Sequence, residues 1–252
     1  MNDLIGYLKR MEKAMVEKLY FLNEINLTEF DFVIDFGCAN GAMLKAISSL
    51  SKNTTFIGVD CNQNSLEIAK HGLTQSNIVF VDNLQAAFDI IKDNKNVAII
   101  LSSVLHEISK KSIKKIIKVS SKINTIIIRD MFFDEKFNKK VKNSAEILSK
   151  CEKVQNYQIE SFVKKHGKIK NTKNLYHFFL KYTYTNNWQS EVNENYFSIP
   201  WKRLNKSFKR KGFTTLYNHE YTLSFKQQEI LQNFSYHLNA PTHKNIIYKK
   251  VK

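Results

Sequence analysis

Residues 32–44 read FVIDFGCANGAML. Phe32 to Phe36 have the aromatic and β-branched character of a buried strand, and the run breaks at Gly37 before a helical pattern begins at Gly41. The chain has only 7 glycines in 252 residues, yet two of them stand four positions apart here. A strand-to-helix turn built of small residues lets the backbone approach a ligand and aims the free N–H groups of the helix start at it. The pattern is not the GxGxxG of a dinucleotide turn. It is an acid inside the strand end, Asp35, followed by Gly37, Ala39 and Gly41 at every second position.

Working outward, nineteen positions after Gly41 the run FIGVD ends a second strand in Asp60, well placed to accept hydrogen bonds from two ribose hydroxyls. IVFVDN then ends a third strand in Asp82. Apolar runs and helical patterns alternate from there: strands at 32–36, 56–60, 78–81, 97–102 and 124–129, with helices at 41–50, 64–72, 84–92 and 110–121. The runs VAIIL and NTIIIRD are apolar throughout, as strands covered on both faces must be. This alternation predicts a doubly wound, mostly parallel sheet with helices on both faces. Two further strands, TTLYNHEYTL and THKNIIYKKV, bring the sheet to seven. Ahead of it, Leu4, Leu8, Met11, Met15, Leu19 and Leu22 recur at helical spacing, so residues 1–27 read as an N-terminal helix packed on the domain.

From Met131 the rhythm changes. The stretch 132–199 is rich in lysine and aromatic residues, with a helix expected around 136–150. An insert after the fifth strand belongs at the carboxyl edge, where open α/β sheets bind ligands, so it reads as a substrate lid. The organisation expected is therefore 1–27 as the helix, 28–131 as a ligand-binding α/β half, 132–199 as the insert, and 200–252 as the closing helix–strand–helix–strand of the same domain.

Composition sets outer bounds. With 43% hydrophobic residues the chain has ample material for a core. No run of about 18 apolar residues exists to span a membrane, and the charged start MNDLIGYLKRMEK does not resemble a signal peptide, so a cytoplasmic protein is expected. Cys38, Cys61 and Cys151 show no metal-binding spacing and are odd in number, so neither a metal site nor a disulfide framework is expected. The net charge of +16 admits a nucleic-acid partner. Yet arginine, the side chain suited to forked phosphate contacts, occurs only as Arg10, Arg129, Arg203 and Arg210.

The ordered series VIDFGCANGAML, IGVDCNQNSLEIAK, VFVDN and AIILSSVLHEI resembles the class I S-adenosylmethionine-dependent methyltransferase family over about residues 28–130. The resemblance implies a Rossmann-like fold whose last strand runs antiparallel, and S-adenosylmethionine as cofactor. It implies that Asp35 helps hold the turn and the methionine amino end, and that Gly37, Cys38, Ala39 and Gly41 form the turn beneath the ligand. Asp60 would bind the ribose hydroxyls, Cys61 would lie beside the adenine, and Asp82 with Asn83 would meet its amino group. Ser102 and Ser103 would border the methionine and its methyl. Ala39 stands where many members have glycine.

Methyl transfer from a sulfonium is an in-line displacement, so alignment is most of what a protein must supply. Where the acceptor loses a proton, a base helps, and His106 and Glu107 are the candidates, with a packing role for His106 as the alternative. In the insert, Tyr176, His177, Trp188, Glu191 and Tyr196 are candidates for the acceptor side, because aromatic walls with a few polar groups suit a small planar ligand. The alternative for its neighbouring aromatics is the insert's own small core. Arg129 and Asp130 face the acceptor or form an ion pair, and the sequence does not choose. The acceptor itself is unidentified: a small molecule comes slightly ahead of RNA or protein. A noncatalytic basic scaffold with the same fold is the competing class.

Overall fold

The computed structural model describes residues 15–92 and 95–251. The elements run α1 (Met15–Lys18), β1 (Phe32–Phe36), α2 (Ala42–Ile47), β2 (Thr55–Val59), α3 (Gln63–Gly72), β3 (Ile78–Val81), α4 (Leu84–Ile90), β4 (Val97–Ser102), α5 (Lys110–Val119) and β5 (Thr125–Met131). They continue with α6 (Ser144–Ser149), α7 (Asn156–His166), α8 (Thr172–Phe179), α9 (Trp188–Glu191), α10 (Trp201–Arg210), β6 (Phe213–Tyr221), α11 (Ser224–Phe234) and β7 (His243–Lys250). Several starts are set by single side chains: the oxygens of Asn62, Asn83 and Ser109 accept the N–H groups of Ser65, Ala86 and Ser112 at 3.2, 3.0 and 3.1 Å. Of the expected N-terminal helix, residues 1–14 lie outside the described residues, and α1 is followed by a 3-10 turn at Tyr20–Asn23.

The seven strands form one sheet in the order β3-β2-β1-β4-β5-β7-β6. Strands β1 to β5 pair in parallel, with Asp35 level with Gly58 on one side and Ile100 on the other. The last strand reverses. Lys250 donates its N–H to Asn124 O and Phe132 donates to Thr242 O, each at 2.8 Å, so β7 runs against β5. Thr242 N–H to Tyr221 O and Val251 N–H to Gly212 O repeat the relation with β6. The doubly wound, seven-stranded architecture with an antiparallel last strand is as the sequence predicts. Among the described residues no helix is long and apolar enough to cross a membrane.

The chain packs as two compact units. One takes in the described residues up to Asp130 with Pro200–His219 and Asn245 onward, and its core joins Phe21, Val33, Leu44, Phe56 and Ile127, each at most 1% exposed. The other takes in Met131–Ile199 and Glu220–Lys244, around Phe162, Leu175, Phe178, Phe179, Ile230 and Phe234, all fully buried. Helix α11 packs in the core of the insert. Phe179 and Phe234 rings sit 4.5 Å apart, and Tyr182 stacks edge-on against Phe234 at 4.9 Å.

One expected helix is broken. Residues 136–150 hold a 3-10 turn at Glu135–Phe137 and only then α6, because the chain between them is drawn into extended pairing. Thr172 donates to Lys139 O and Val141 donates to Lys170 O, both at 2.9 Å, which no helical residue at those positions allows.

Phe234→Ala removes the ring that anchors α11 in the insert's core. A loss of about 3–5 kcal/mol is expected in thermal or urea unfolding, with new protease cleavage inside 131–199. Unchanged stability would show that α11 is not part of that core.

Candidate active site

The turn after β1 is held from the neighbouring strand. Gly37 and Cys38 donate their N–H groups to Val59 O at 2.7 and 3.1 Å, and Gly41 donates to Cys38 O at 2.9 Å. To make this bend Gly37, Ala39 and Gly41 all take left-handed φ angles, 81°, 47° and 78°. A side chain at Gly37 would start 2.7 Å from a Val104 methyl, and one at Gly41 2.7 Å from Leu73 Cδ1. Ala39 has a Cβ, so its conformation costs about 1–2 kcal/mol, and a specific bond offsets it. The Asp60 carboxylate accepts the Ala39 N–H at 2.8 Å with one oxygen and the Asn62 N–H at 2.9 Å with the other.

Beside the turn stand polar atoms with no hydrogen-bond partner: Asp35 Oδ2, Asn40 Oδ1 and Ser102 Oγ, all buried. Asp35 and Ser102 belong to the adjacent strands β1 and β4. Burial pushes the Asp35 carboxyl up to about 7, with Lys18 pulling it down and Asp60 adding a smaller push upward. Cys38 is buried and its thiol is raised by desolvation first and by Asp35 and Asp60 next. Cys61 and Asp82 are exposed at the ends of β2 and β3. Asn83 divides its amide between Asp82, which accepts from Nδ2 at 2.6 Å, and the start of α4.

The loop after β4 is organised by Asp130. One oxygen of this fully buried carboxylate accepts the N–H groups of Val104 and Leu105 at 3.0 and 2.7 Å. The other meets His106 Nδ1 at 2.5 Å. Facing a carboxylate, His106 Nδ1 is the donor of this contact, and Nε2 lies 3.7 Å from Glu107 Oε1. Arg129 donates to Ser103 Oγ at 2.6 Å, and Ser103 itself takes a left-handed φ of 57°. The sequence left Asp130 undecided between two roles, and here it positions the histidine and the loop.

The acceptor-side candidates lie together in the other unit, and every one is buried. Tyr176 accepts the Asn239 N–H at 2.7 Å, Trp188 donates to Ser161 Oγ at 2.8 Å, and Tyr196 donates its hydroxyl to Glu191 Oε2. His177 Nε2 accepts the Tyr196 N–H at 3.3 Å, and burial with nearby Lys181 pushes its pKa down to about 2. Their polar ends are partnered inside this unit, where they hold its shape. Lys18 is a residue the sequence reading passed over: it is only 8% exposed on α1, near Arg129, Asp35, Glu107 and Asp130. Its signal was present, since a lysine three residues after Met15 and four before Leu22 falls on the helix's apolar face.

A family model for the methyltransferase domain matches residues 29–195. The chain belongs to the methyltransferase-domain family. This is the class I, S-adenosylmethionine-dependent family that the strand-end landmarks resemble, and its match takes in the turn, Asp60 and the His106–Asp130 pair. Over 95 residues the chain is 28% identical to Putative methyltransferase 235L of Invertebrate iridescent virus 6, a match covering 35% of each protein. The chain thus aligns with about a third of that viral relative's length. Among solved structures, an S-adenosylmethionine-dependent methyltransferase from Mesorhizobium loti superposes with a TM-score of 0.58 at 10% identity, covering 94% of this chain and 98% of that one. One from Anabaena variabilis gives 0.55 at 16% identity, covering 96% and 85%. At those identities the likeness is one of fold.

The methyltransferase cofactor fits the donor set. The unpartnered Asp35 Oδ2 is an acceptor of the kind that the ammonium of its methionine end requires, and the turn presents backbone rather than side chains. Asp35 also supplies a test of this geometry in the ligand-free protein. Because the folded chain binds its proton more tightly than the unfolded chain, Asp35 costs stability increasingly as pH rises from about 4 to about 7. Asp35→Asn removes that penalty. In urea unfolding the variant should gain on the order of 3 kcal/mol on wild type between about pH 4.5 and pH 8, and parallel profiles would contradict the buried charge.

Proposed function

We propose that this chain transfers a methyl group from S-adenosylmethionine to an acceptor that loses a proton in the reaction. The observation that carries the reading is the Asp60 carboxylate bound to the Ala39 N–H within a turn whose residues 37, 39 and 41 are left-handed. That lock leaves lone pairs of Asp60 for the ribose hydroxyls, and Asp35 for the methionine ammonium. Asp82, Asn83 and Cys61 are assigned to the adenine side, and Ser102 and Ser103 to the methionine and methyl. When bound, the cofactor supplies a methyl carbon made electrophilic by its positive sulfur.

The protein's share is alignment and proton removal. His106 Nε2 takes the proton of an acceptor hydroxyl or protonated nitrogen, and Asp130 keeps the ring turned and in the right tautomer. Glu107, largely exposed, receives the charge of the imidazolium at 3.7 Å. The Tyr176, His177, Trp188, Glu191 and Tyr196 cluster is assigned to shaping the acceptor wall through the rigidity of its unit. Small-molecule acceptors are put ahead of RNA and protein, because only four of the 39 basic residues are arginine.

Titration calorimetry with S-adenosylhomocysteine tests the cofactor site. Wild type should bind in the micromolar range, and Asp60→Ala should bind roughly 10–100-fold more weakly, having lost charge-assisted hydrogen bonds. No binding by wild type would overturn the proposal. Label transfer from S-adenosylmethionine into a metabolite extract tests the base. His106→Asn should lower the rate about 100-fold or more while leaving S-adenosylhomocysteine affinity intact, and an unchanged rate would make His106 a packing residue.

A further inference from the structure

Much of the chain's +16 net charge gathers on two helices that the proposed roles do not use. The exposed side chains of α5 are Lys110, Lys111, Lys114, Lys115 and Lys118, and those of α10 are Lys202, Arg203, Lys206, Lys209 and Arg210. Each helix buries its opposite face, α5 through Ile113 and Ile116 and α10 through Leu204 and Phe208. From Ile108 to Arg129, and again from Pro200 to His219, the sequence holds no acidic residue. Strand β7 sets both helices on one face of the sheet. Tyr248 and Lys250 are alternate residues, so their side chains leave β7 on the same side. The Tyr248 ring meets Phe208 of α10 at 5.1 Å, and the Lys250 ammonium donates to Ser121 O, just past the end of α5, at 2.7 Å. Val251 N–H donates to Gly212 O, just past the end of α10, at 2.9 Å. The two helices thus finish beside the same end of β7, and their cations form one outward surface.

We propose that this surface docks duplex nucleic acid by its phosphates, without reading its sequence. Like charges one turn apart on a helix, as Lys110, Lys114 and Lys118 are, destabilise it. Among the described residues no ion pair answers the cations of α5 and α10. A row of phosphates supplies the missing negative charge, and release of its counterions drives the association. Of these cations only Arg203 and Arg210 are arginine. Lysines are compact charges that suit phosphates better than the forked contacts that read base edges. A bilayer partner would call for large apolar side chains on the outward face, and the exposed large hydrophobic residues of the chain lie on neither helix. The same lack leaves a protein partner no apolar anchor. A single strand would be gripped by stacking its bases on exposed rings, whereas α5 has no aromatic residue and those of α10, Trp201 and Phe208, are half-buried and buried. The proposal goes beyond the methyl-transfer reading and stands whichever acceptor that reaction uses.

Fluorescence anisotropy with labelled DNA and RNA duplexes of about 20 base pairs and arbitrary sequence tests the surface. In low salt the full chain should bind them in the micromolar range, with affinity falling steeply as salt rises. A variant carrying Lys114→Gln, Lys118→Gln, Lys202→Gln and Lys206→Gln should bind about 10-fold or more weakly, and its slope of log affinity on log salt should be shallower by about 3–4. A control with Lys164→Gln, Lys165→Gln, Lys168→Gln and Lys170→Gln removes the same charge from exposed positions elsewhere and should keep the wild-type slope. No binding by wild type, equal losses in the two variants, or tighter binding of phosphatidylserine vesicles, polyglutamate or a single strand of the same length would overturn the proposal. If the first variant does not fold by circular dichroism, lysine acetylation of wild type decides. Bound duplex must protect Lys114, Lys118, Lys202 and Lys206 and leave Lys164, Lys165, Lys168 and Lys170 reactive, and uniform protection refutes the surface. S-adenosylhomocysteine affinity should be the same in all three proteins. Wild type that binds duplex but not S-adenosylhomocysteine refutes the cofactor reading and spares this one.

Discussion

The Asp60 carboxylate on the Ala39 N–H is the constraint from which the rest of the site follows. Parallel pairing with Phe36 level with Val59 brings the residue after β2 beside the residues after β1, so an acid at that position reaches the turn without any long loop. Its second oxygen fastens Asn62, whose own side chain begins α3. One side chain thereby joins the reversal after β1 to the start of the helix after β2. The strain of an alanine at φ 47° is tolerable because the start of the turn is fixed to Val59 O and its far end closes on Cys38 O.

A second consequence is electrostatic. Parallel strands β1, β4 and β5 end side by side, and each carries polar residues at or just before its end: Asp35, Ser102, and Arg129 with Asp130. An acid buried at a strand end is costly unless it is answered. Asp130 is answered by two backbone N–H groups and an imidazole. Asp35 receives less: one oxygen has no hydrogen-bond partner, and burial pushes its carboxyl up to about 7.

How much of this was legible in the sequence depends on the range of the contacts. Strands β1, β3 and β4 declare themselves by apolar runs, and Gly37, Gly41 and Asp60 by their place at strand ends, because turn conformation and strand burial are local properties. The Asp130–His106 bond joins residues 24 apart and depends on β5 lying beside β4, so the residues alone left Asp130 between two roles. The pairing of Lys139 with Thr172 that breaks the expected helix at 136–150 is likewise long-range. The placing of α11 in the insert's core escaped for another reason: its apolar residues, Ile230 and Phe234, fit either unit by pattern, and only packing chooses.

The two candidate histidines show how environment sorts residues that look alike in sequence. His177 is surrounded by the rings of Phe162, Tyr196 and Phe197 and by the buried ammonium of Lys181, and its pKa falls to about 2. At any working pH it is neutral, accepting a backbone N–H, so it contributes packing and one hydrogen bond. His106 has a carboxylate on Nδ1 instead, which fixes its tautomer and gives a proton arriving at Nε2 a compensating negative charge. Proton transfer needs a group whose charged form is supported where it forms. Of these two, only the histidine held by Asp130 has that support.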